Sequence, residues 1–384
     1  HHMDVREVTP ELGEFDYVVA HGVYSWVPPD ARDAILRVCR ENMSEQGIAY
    51  ISYNVYPGWH MLGMVRDMMR RHTRPFESVE EKVSQARALM DFLGKTTRAG
   101  TVYGAFIRQL ASNYKSYPDT YLYHEHLLAN NVPFWFQEFV DDVEAAELQY
   151  LGDGHFGSML TSSFPPEIAK ELDGLGADLI VTEQYMDLIN RRTFRTSLVC
   201  HRNVQLRRTI EPEVLSRLTI TSDLSPAGST VDLAPGAEEA FSKSSPEEMA
   251  ISTTSPLAKA ALVELAQTRP AAMTYEALSA AARARLADAG IDSDAEDEAQ
   301  IAADLIAGFA RGAIELYVSS DHFADGIDDC PKIIPTARHA AAHNEGHVTD
   351  LRHFNVSLDP IERCIAARLD GEHDRAALLA AVQE

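Results

Sequence analysis

Phe15-Asp-Tyr-Val-Val-Ala20, His21-Gly-Val-Tyr-Ser-Trp-Val-Pro-Pro29 and Ile48-Ala-Tyr-Ile-Ser-Tyr-Asn54 decide the fold. The first is a short, nearly continuous apolar run, the pattern of a strand buried on both faces. The second is a polar and aromatic loop ending in prolines, with Pro29 suited to a first helical turn and Asp30 to the positive end of a helix dipole. Ile35, Leu36, Val38, Cys39 and Met43 then recur at helical spacing, and Gly47 is placed to stop that helix before the third stretch, a second strand. Strand, helix and strand in this order predict a right-handed βαβ crossover in a parallel sheet.

A parallel pair needs covering helices and further strands. Downstream, residues 134–148 read as an amphipathic helix, and Leu148-Gln-Tyr-Leu151 and Thr196-Ser-Leu-Val-Cys-His201 as strands. No strand–glycine-loop–helix unit of the GxGxxG type precedes any of them. Residues 61–130 intervene, far more than the few residues of an ordinary connection, and read as an inserted helical module. Helices are expected at about 78–93 and 101–116, the second with Phe106, Ile107, Leu110 and Tyr114 on one face. Met61, Met64, Val65, Met68 and Met69 form a stripe that suits either core packing or an adaptable interface.

The stretches Phe15–Pro28 and Ser52-Tyr-Asn-Val-Tyr-Pro-Gly-Trp-His60 resemble the fourth and fifth strands of class I S-adenosylmethionine-dependent methyltransferases. They closely resemble the bacterial subfamily with a methyltransferase regulatory domain, which includes protein-lysine methyltransferases. Tyr123-His-Glu-His-Leu127, Phe136-Gln-Glu-Phe139, Leu148–Leu151 and Asn190-Arg-Arg-Thr-Phe-Arg195 resemble its regulatory segment. The resemblance implies S-adenosylmethionine as cofactor, a protein lysine as methyl acceptor, and a homodimer formed through the insertion. It also implies that 148–151 and 196–201 are the closing antiparallel hairpin of the sheet. The family's first strand, its glycine-rich loop and the acidic end of its second strand would precede Asp4. This stretch is therefore expected to hold half of a catalytic domain, with an incomplete cofactor site.

Ligands of open α/β sheets lie beyond the carboxyl ends of the strands, where the loops 21–28 and 53–60 leave. His21 and Gly22 are expected on the cofactor side. Tyr24, Trp26, Tyr53 and Asn54 are expected to act on the acceptor, as an aromatic cage with polar acceptors that orients an amine and stabilises positive charge. Ser25, Tyr56 and Trp59 lie in the same loops, and the plainer alternative is that Trp26, Tyr56 and Trp59 plug the end of the sheet. In His124-Glu125-His126 the histidines diverge on a helix and no HExxH is present, so a surface or capping role is expected. His339, His343 and His347 have better zinc spacing, but Gly346 interrupts their helix, and no metal is expected.

With 34 Lys+Arg against 58 Asp+Glu, the 384 residues carry a net charge of −24, which disfavours nucleic acid and anionic membranes as partners. His1-His2-Met3 reads as a tag remnant, no apolar run suits a membrane helix, and four scattered cysteines fit a reducing cytoplasm. Beyond residue 204 the composition shifts to Ser, Thr, Pro and Gly, with Gln205–Ile210 and Leu218-Thr-Ile-Thr221 as possible strands. Helices at about 256–265, from Thr274, and at about 296–310, then a strand at 312–318, make a winged-helix pattern. Residues 251–320 hold five Lys/Arg against ten Asp/Glu, and Asp292, Asp294, Glu296, Asp297 and Glu298 gather where a recognition helix would begin, which points to a basic protein partner rather than DNA. The cluster also suits an ordinary helix start. Residues 359–379 resemble the first two helices of another such module.

The expected architecture is α/β plus mainly α: an incomplete Rossmann-like sheet (4–60 and 131–203) with an inserted module (61–130), a β-containing bridge (204–250) and a winged-helix-like region (251–384). The expected function is S-adenosylmethionine-dependent methyl transfer to protein lysine. The alternatives are a non-catalytic protein that binds a basic partner and a small-molecule methyltransferase.

Overall fold

The computed structural model describes residues 1–176, 178–243, 250–292, 295–319, 327–343 and 346–383. Its chain separates into two compact units, His1–Thr209 and Ile210–Glu384.

In the first unit, β1 (Phe15–Ala20), α1 (Pro29–Asn42) and β2 (Met43–Asn54) form the expected crossover, with β1 and β2 parallel. α1 starts on Pro29 with Asp30 in its first turn, and buries Ala31, Ala34, Ile35, Leu36 and Cys39 along one face. It ends at Asn42, whose buried amide donates to the Thr9 and Gly13 carbonyls at 3.0 Å each. Gly47 does not stop this helix. It lies inside β2, where a Cβ would come 3.0 Å from the Ser44 carbonyl oxygen and 3.1 Å from that of Phe15. A register shift between Phe15 and Tyr17 accompanies this approach, the place where a glycine in a strand is needed.

The sheet is completed by β3 (Leu148–Asp153) and β4 (Phe194–His201) in the order β1-β2-β4-β3, with β4 antiparallel to both of its neighbours. β1 is an edge strand, and its burial is one-sided. Val18 and Ala20 pack on the core, whereas Phe15, Tyr17 and Val19 face solvent, Tyr17 at 75% exposure. The apolar run suggested two buried faces; here one face of the edge strand stays open.

Between β2 and β3 run α2 (Gly58–Thr73), α3 (Val79–Thr96), α4 (Val102–Ser116), α5 (Asp119–Leu127) and α6 (Phe136–Ala145). Helices α2 to α5 enclose a separate core that includes Val65, Met69, Val83, Met90, Ile107 and Leu122. The methionine stripe divides: Val65 and Met69 are fully buried, Met68 packs against that core, and Met64 is exposed. α6 joins the sheet's core through Phe139 and Val143. α7 (Pro166–Asp173) and α8 (Leu179–Asn190) separate β3 from β4.

The segment Gln205–Ile210 forms no strand; Arg208 is drawn instead to the carbonyls of Tyr150, at 2.7 Å, and Leu151. In the second unit, β5 (Thr219–Thr221), β9 (Met273–Thr274) and β10 (Glu315–Tyr317) pair in the order β10-β5-β9. α9 (Pro256–Thr268), α10 (Tyr275–Asp288) and α11 (Ala295–Ala310) share a core that includes Leu257, Ala261, Leu278, Leu286 and Ile301. A second small sheet joins β6 (Ser225–Pro226), β7 (Glu239–Ser242) and β8 (Ala250–Thr253). Glu296, Asp297 and Glu298 fall in the first turn of α11, after Asp292, and Asp294 lies outside the described residues.

The last segment holds α12 (Pro335–Ala342), the hairpin β11 (His347–Thr349) and β12 (Asn355–Ser357), α13 (Pro360–Ala366) and α14 (Arg375–Gln383). The helices expected at 359–379 are therefore preceded by a helix and a hairpin. The rings of His339 and His343 pack with centroids 4.0 Å apart at the end of α12, but His347 begins a strand, so the i+4 series does not continue on one helix. Among the described residues no group of three His, Cys, Asp or Glu could hold a metal, and no helix is long and apolar enough to cross a membrane.

Candidate functional site

β1 and β2 run side by side and release their chains at the same end of the sheet. Gly22 turns the chain away from β1 at φ +66°, a left-handed conformation in which a glycine is unstrained. Its N–H donates to Ser52 Oγ at 2.7 Å, and Ser52 Oγ lies 3.1 Å from His21 Nδ1, so the loop is clamped to the neighbouring strand. The Asn54 N–H donates to Ser25 Oγ at 2.9 Å, and its side-chain amide donates to Asn131 Oδ1 at 2.9 Å. The segment leading into α6 lies beside this strand end, with the Phe134 N–H donating to the Asn54 carbonyl at 3.0 Å.

These turns open a cavity of about 350 Å³ lined by His21, Gly22, Trp26 and Asn54 from the sheet ends, with Trp59 and Leu62 from α2. Its opposite wall is Leu110, Tyr114, Tyr117, Tyr121, His124, Glu125 and His126, and Thr193 and Phe194 close it at the start of β4. The inserted helices thus roof the carboxyl ends of the strands.

Four of the six expected site residues, His21, Gly22, Trp26 and Asn54, meet in this cavity. Tyr24 and Tyr53 do not line it. Side chains alternate along β2, so Asn54 points to the cavity and Tyr53 to the core. Tyr53 is fully buried, stacked on Phe139 at 4.0 Å with its hydroxyl 2.9 Å from Ser197 Oγ. Tyr24, 1% exposed, packs edge-on against Phe139 at 5.5 Å. Burial raises the pKa of both phenols. Tyr56 stacks on His60 at 4.1 Å and does not line the cavity either.

Trp26 packs on His124 with ring centroids 4.3 Å apart, and the Arg66 guanidinium stands 5.9 Å from its ring. Arg66, almost fully buried, donates to the carbonyls of Glu125 at 3.2 Å, Ala129 at 3.2 Å and Leu128. A cation is thereby placed at the carboxyl end of α5, where the helix dipole favours one. Burial and the nearby Arg70 lower its pKa to about 10. Burial also raises the Glu125 carboxyl above the ordinary range, against the pull of Arg66. His126 is pushed down to about 4 by burial and by Arg66, so it is neutral near pH 7. The expected surface role of His124-Glu125-His126 fails for His126, which is 4% exposed. Its spacing to Leu122, one helical turn away and fully buried, was the signal that this face of α5 points inward.

Residues 118–201 match the family described as "Predicted methyltransferase regulatory domain", and residues 329–384 match "PKMT, C-terminal winged helix domain". The chain is 30% identical over 390 residues to the uncharacterized protein RP789 of Rickettsia prowazekii (strain Madrid E), covering 100% of this chain and 69% of that relative. The structure of PKMT2 from Rickettsia typhi in complex with AdoHcy superposes with a TM-score of 0.86 at 30% identity, covering 100% of this chain and 75% of that one. The chain belongs to the PKMT family of methyltransferase-like proteins. A second structure of PKMT2 from Rickettsia typhi is equally similar, with a TM-score of 0.86 at 30% identity.

In this PKMT family member the regulatory-domain match contains a buried ionic network that the sequence reading passed over. Arg195, 0% exposed, pairs with Asp187 at 2.8 Å and 3.0 Å and with Glu183 at 2.8 Å, and lies 3.6 Å above the Phe136 ring. Arg192 pairs with Asp153 at 2.8 Å. Burial raises the pKa of Glu183 and Asp187. The network joins α8 to β3 and β4 beneath the wall that Thr193 and Phe194 give the cavity. Arg195 lies on β4 and Glu183 and Asp187 on α8, so the turn between these two elements brings them together.

Proposed function

We propose that the protein carrying this chain is an S-adenosylmethionine-dependent methyltransferase, that its acceptor is a lysine of another protein, and that the cavity at the ends of β1 and β2 receives the acceptor amine. The carrying observation is that two parallel strand ends deliver His21, Gly22, Trp26 and Asn54 into one cavity that the inserted helices close. Strand ends are where ligands of such sheets bind. The likeness to PKMT2, whose structure contains AdoHcy, supports the choice of cofactor.

When bound, S-adenosylmethionine supplies a methyl group on a sulfonium sulfur, set for transfer in line to a nucleophile. Gly22 fits that end of the ligand, because the space beside its Cα is open and lets backbone approach closely. Among the described residues, His21 and Gly22 suit the transferring end of the ligand and Trp26 and Asn54 suit the acceptor. Trp26 supplies an aromatic face for a cation, worth about 0.5–2 kcal/mol. Asn54, held through Asn131 and the Phe134 N–H, offers its amide oxygen as an acceptor. Trp59, Leu62 and Leu110 exclude water from the walls. Chiefly, the chain holds the acceptor in line.

Exposed Phe92, Val102 and Tyr103 on α3 and α4 support reading the inserted helices as the contact between two copies. The test of function is transfer of labelled methyl from S-adenosylmethionine to a lysine-bearing protein. Turnover by Trp26→Ala is expected to fall at least about tenfold, the loss of one desolvated cation–aromatic contact. Unchanged turnover would remove Trp26 from the site.

A further inference from the structure

We infer that α5, an element of the inserted helices rather than of the sheet, selects the acceptor's charge: the Glu125 carboxylate receives the ammonium head of a lysine side chain inside the aromatic-walled cavity. The inference rests on the lysine reading above and assigns that reading a charge-selecting residue.

Three observations carry it. Glu125 lines the cavity yet has no hydrogen bond or ion pair among the described residues. The nearest cation does not claim it, since Arg66 gives its N–H groups to the backbone carbonyls of residues 125, 128 and 129. Two further polar groups on the same wall are unused: His126 Nδ1, on a side chain 4% exposed, and the Tyr114 hydroxyl, on one 3% exposed. Buried polar atoms without partners are uncommon and mark a place for a ligand or water.

The unused groups suit a cation. An ammonium brings three N–H donors and no acceptor, and a carboxylate, a hydroxyl oxygen and a ring nitrogen all accept. His126 is kept neutral by burial, so at its own position the wall sets no imidazolium against the ammonium. The rings of Trp26, Tyr117 and Tyr121 bound the same space and suit an unbranched aliphatic stem. The carboxylate, desolvated by burial in the cavity wall, gains an ionic partner on binding an ammonium.

The test is calorimetric titration of the protein carrying this chain with a lysine-bearing peptide and its norleucine twin, in wild type and in Glu125→Gln. Wild type is expected to bind the lysine peptide about tenfold or more tightly than the norleucine peptide, the range of one charge-assisted hydrogen bond. Glu125→Gln is expected to lose that preference while its affinity for the norleucine peptide is unchanged. Should Glu125→Gln fail to fold, Glu125→Asp, which keeps the charge, is expected to retain the preference. Equal binding of the two peptides by wild type, or a lysine preference that survives in Glu125→Gln, overturns the inference. Lysine methylation by Glu125→Gln at an unchanged KM overturns it while leaving the methyltransferase reading intact. Glu125-dependent lysine binding by a protein that transfers no methyl group supports the amine site and refutes the methyltransferase reading.

Discussion

Replacing His126 by Gln is expected to remove a specific part of the pH dependence of stability in the first unit. His126 is buried on α5, and burial with the nearby Arg66 charge lowers its pKa from 6.5 to about 4. Its folded-state pKa is depressed, so between those values the unfolded chain holds a proton at this site that the folded chain does not. Stability therefore rises with pH across that window and is lost as pH falls through it. Each pH unit is worth about 1.4 kcal/mol, so the window carries roughly 3 kcal/mol. The assay is guanidinium unfolding at pH 7 and pH 4.5, followed by tryptophan fluorescence. The three tryptophans, Trp26, Trp59 and Trp135, all lie in the first unit, so the signal reports that unit. Wild type is expected to lose about 2–3 kcal/mol more than His126→Gln between the two conditions. Glu125, Glu183 and Asp187, whose pKa values are raised, act in the opposite direction in both proteins and largely cancel in the difference. Equal losses in the two proteins would mean that His126 is not desolvated, and the buried wall of the cavity would be wrong.

Arg195→Met leaves Glu183 buried without its cation and Asp187 with only Arg192 at 3.7 Å, and is expected to cost about 3–5 kcal/mol in the same unfolding measurement, with the deficit shrinking at low pH as the carboxylates protonate. Lys259 is fully buried on α9 and donates to the carbonyls of Asp232, Ala234 and Ala237 at 2.7, 2.8 and 3.0 Å. Lys259→Met is expected to cost the second unit about 1–3 kcal/mol and to speed amide exchange through residues 232–237, leaving tryptophan-monitored unfolding of the first unit unchanged.

The crossover was legible because its signals are local. An apolar run, a proline-initiated helix and a second apolar run lie within forty residues of one another, and α1 starts where they indicate, while β2 begins at Met43, ahead of the expected Ile48. Gly47 misled because a glycine after a helical pattern reads as a cap, whereas its role here is a close approach to the Phe15 carbonyl across the pair. Loop position brings His21, Gly22, Trp26 and Asn54 to one cavity, but it could not assign faces. Tyr53 precedes Asn54 by one residue and points the opposite way, and Tyr24 turns under the sheet to meet Phe139. The other wall was hidden for a different reason. Glu125 and His126 lie on α5, whose end is bound by Arg66 of α2, a contact across some sixty residues that no local pattern encodes. The Arg195 network spans fewer residues but still joins different elements, with its arginine on a strand and its carboxylates on a helix and a neighbouring strand.

The most direct test is mass spectrometry of a lysine-bearing protein after incubation with S-adenosylmethionine and the protein that carries this chain. The account predicts methyl groups on lysine side chains of the acceptor, abolished by the charge reversal Glu125→Lys in the cavity wall. No methylation, or methylation confined to other side chains, would contradict it.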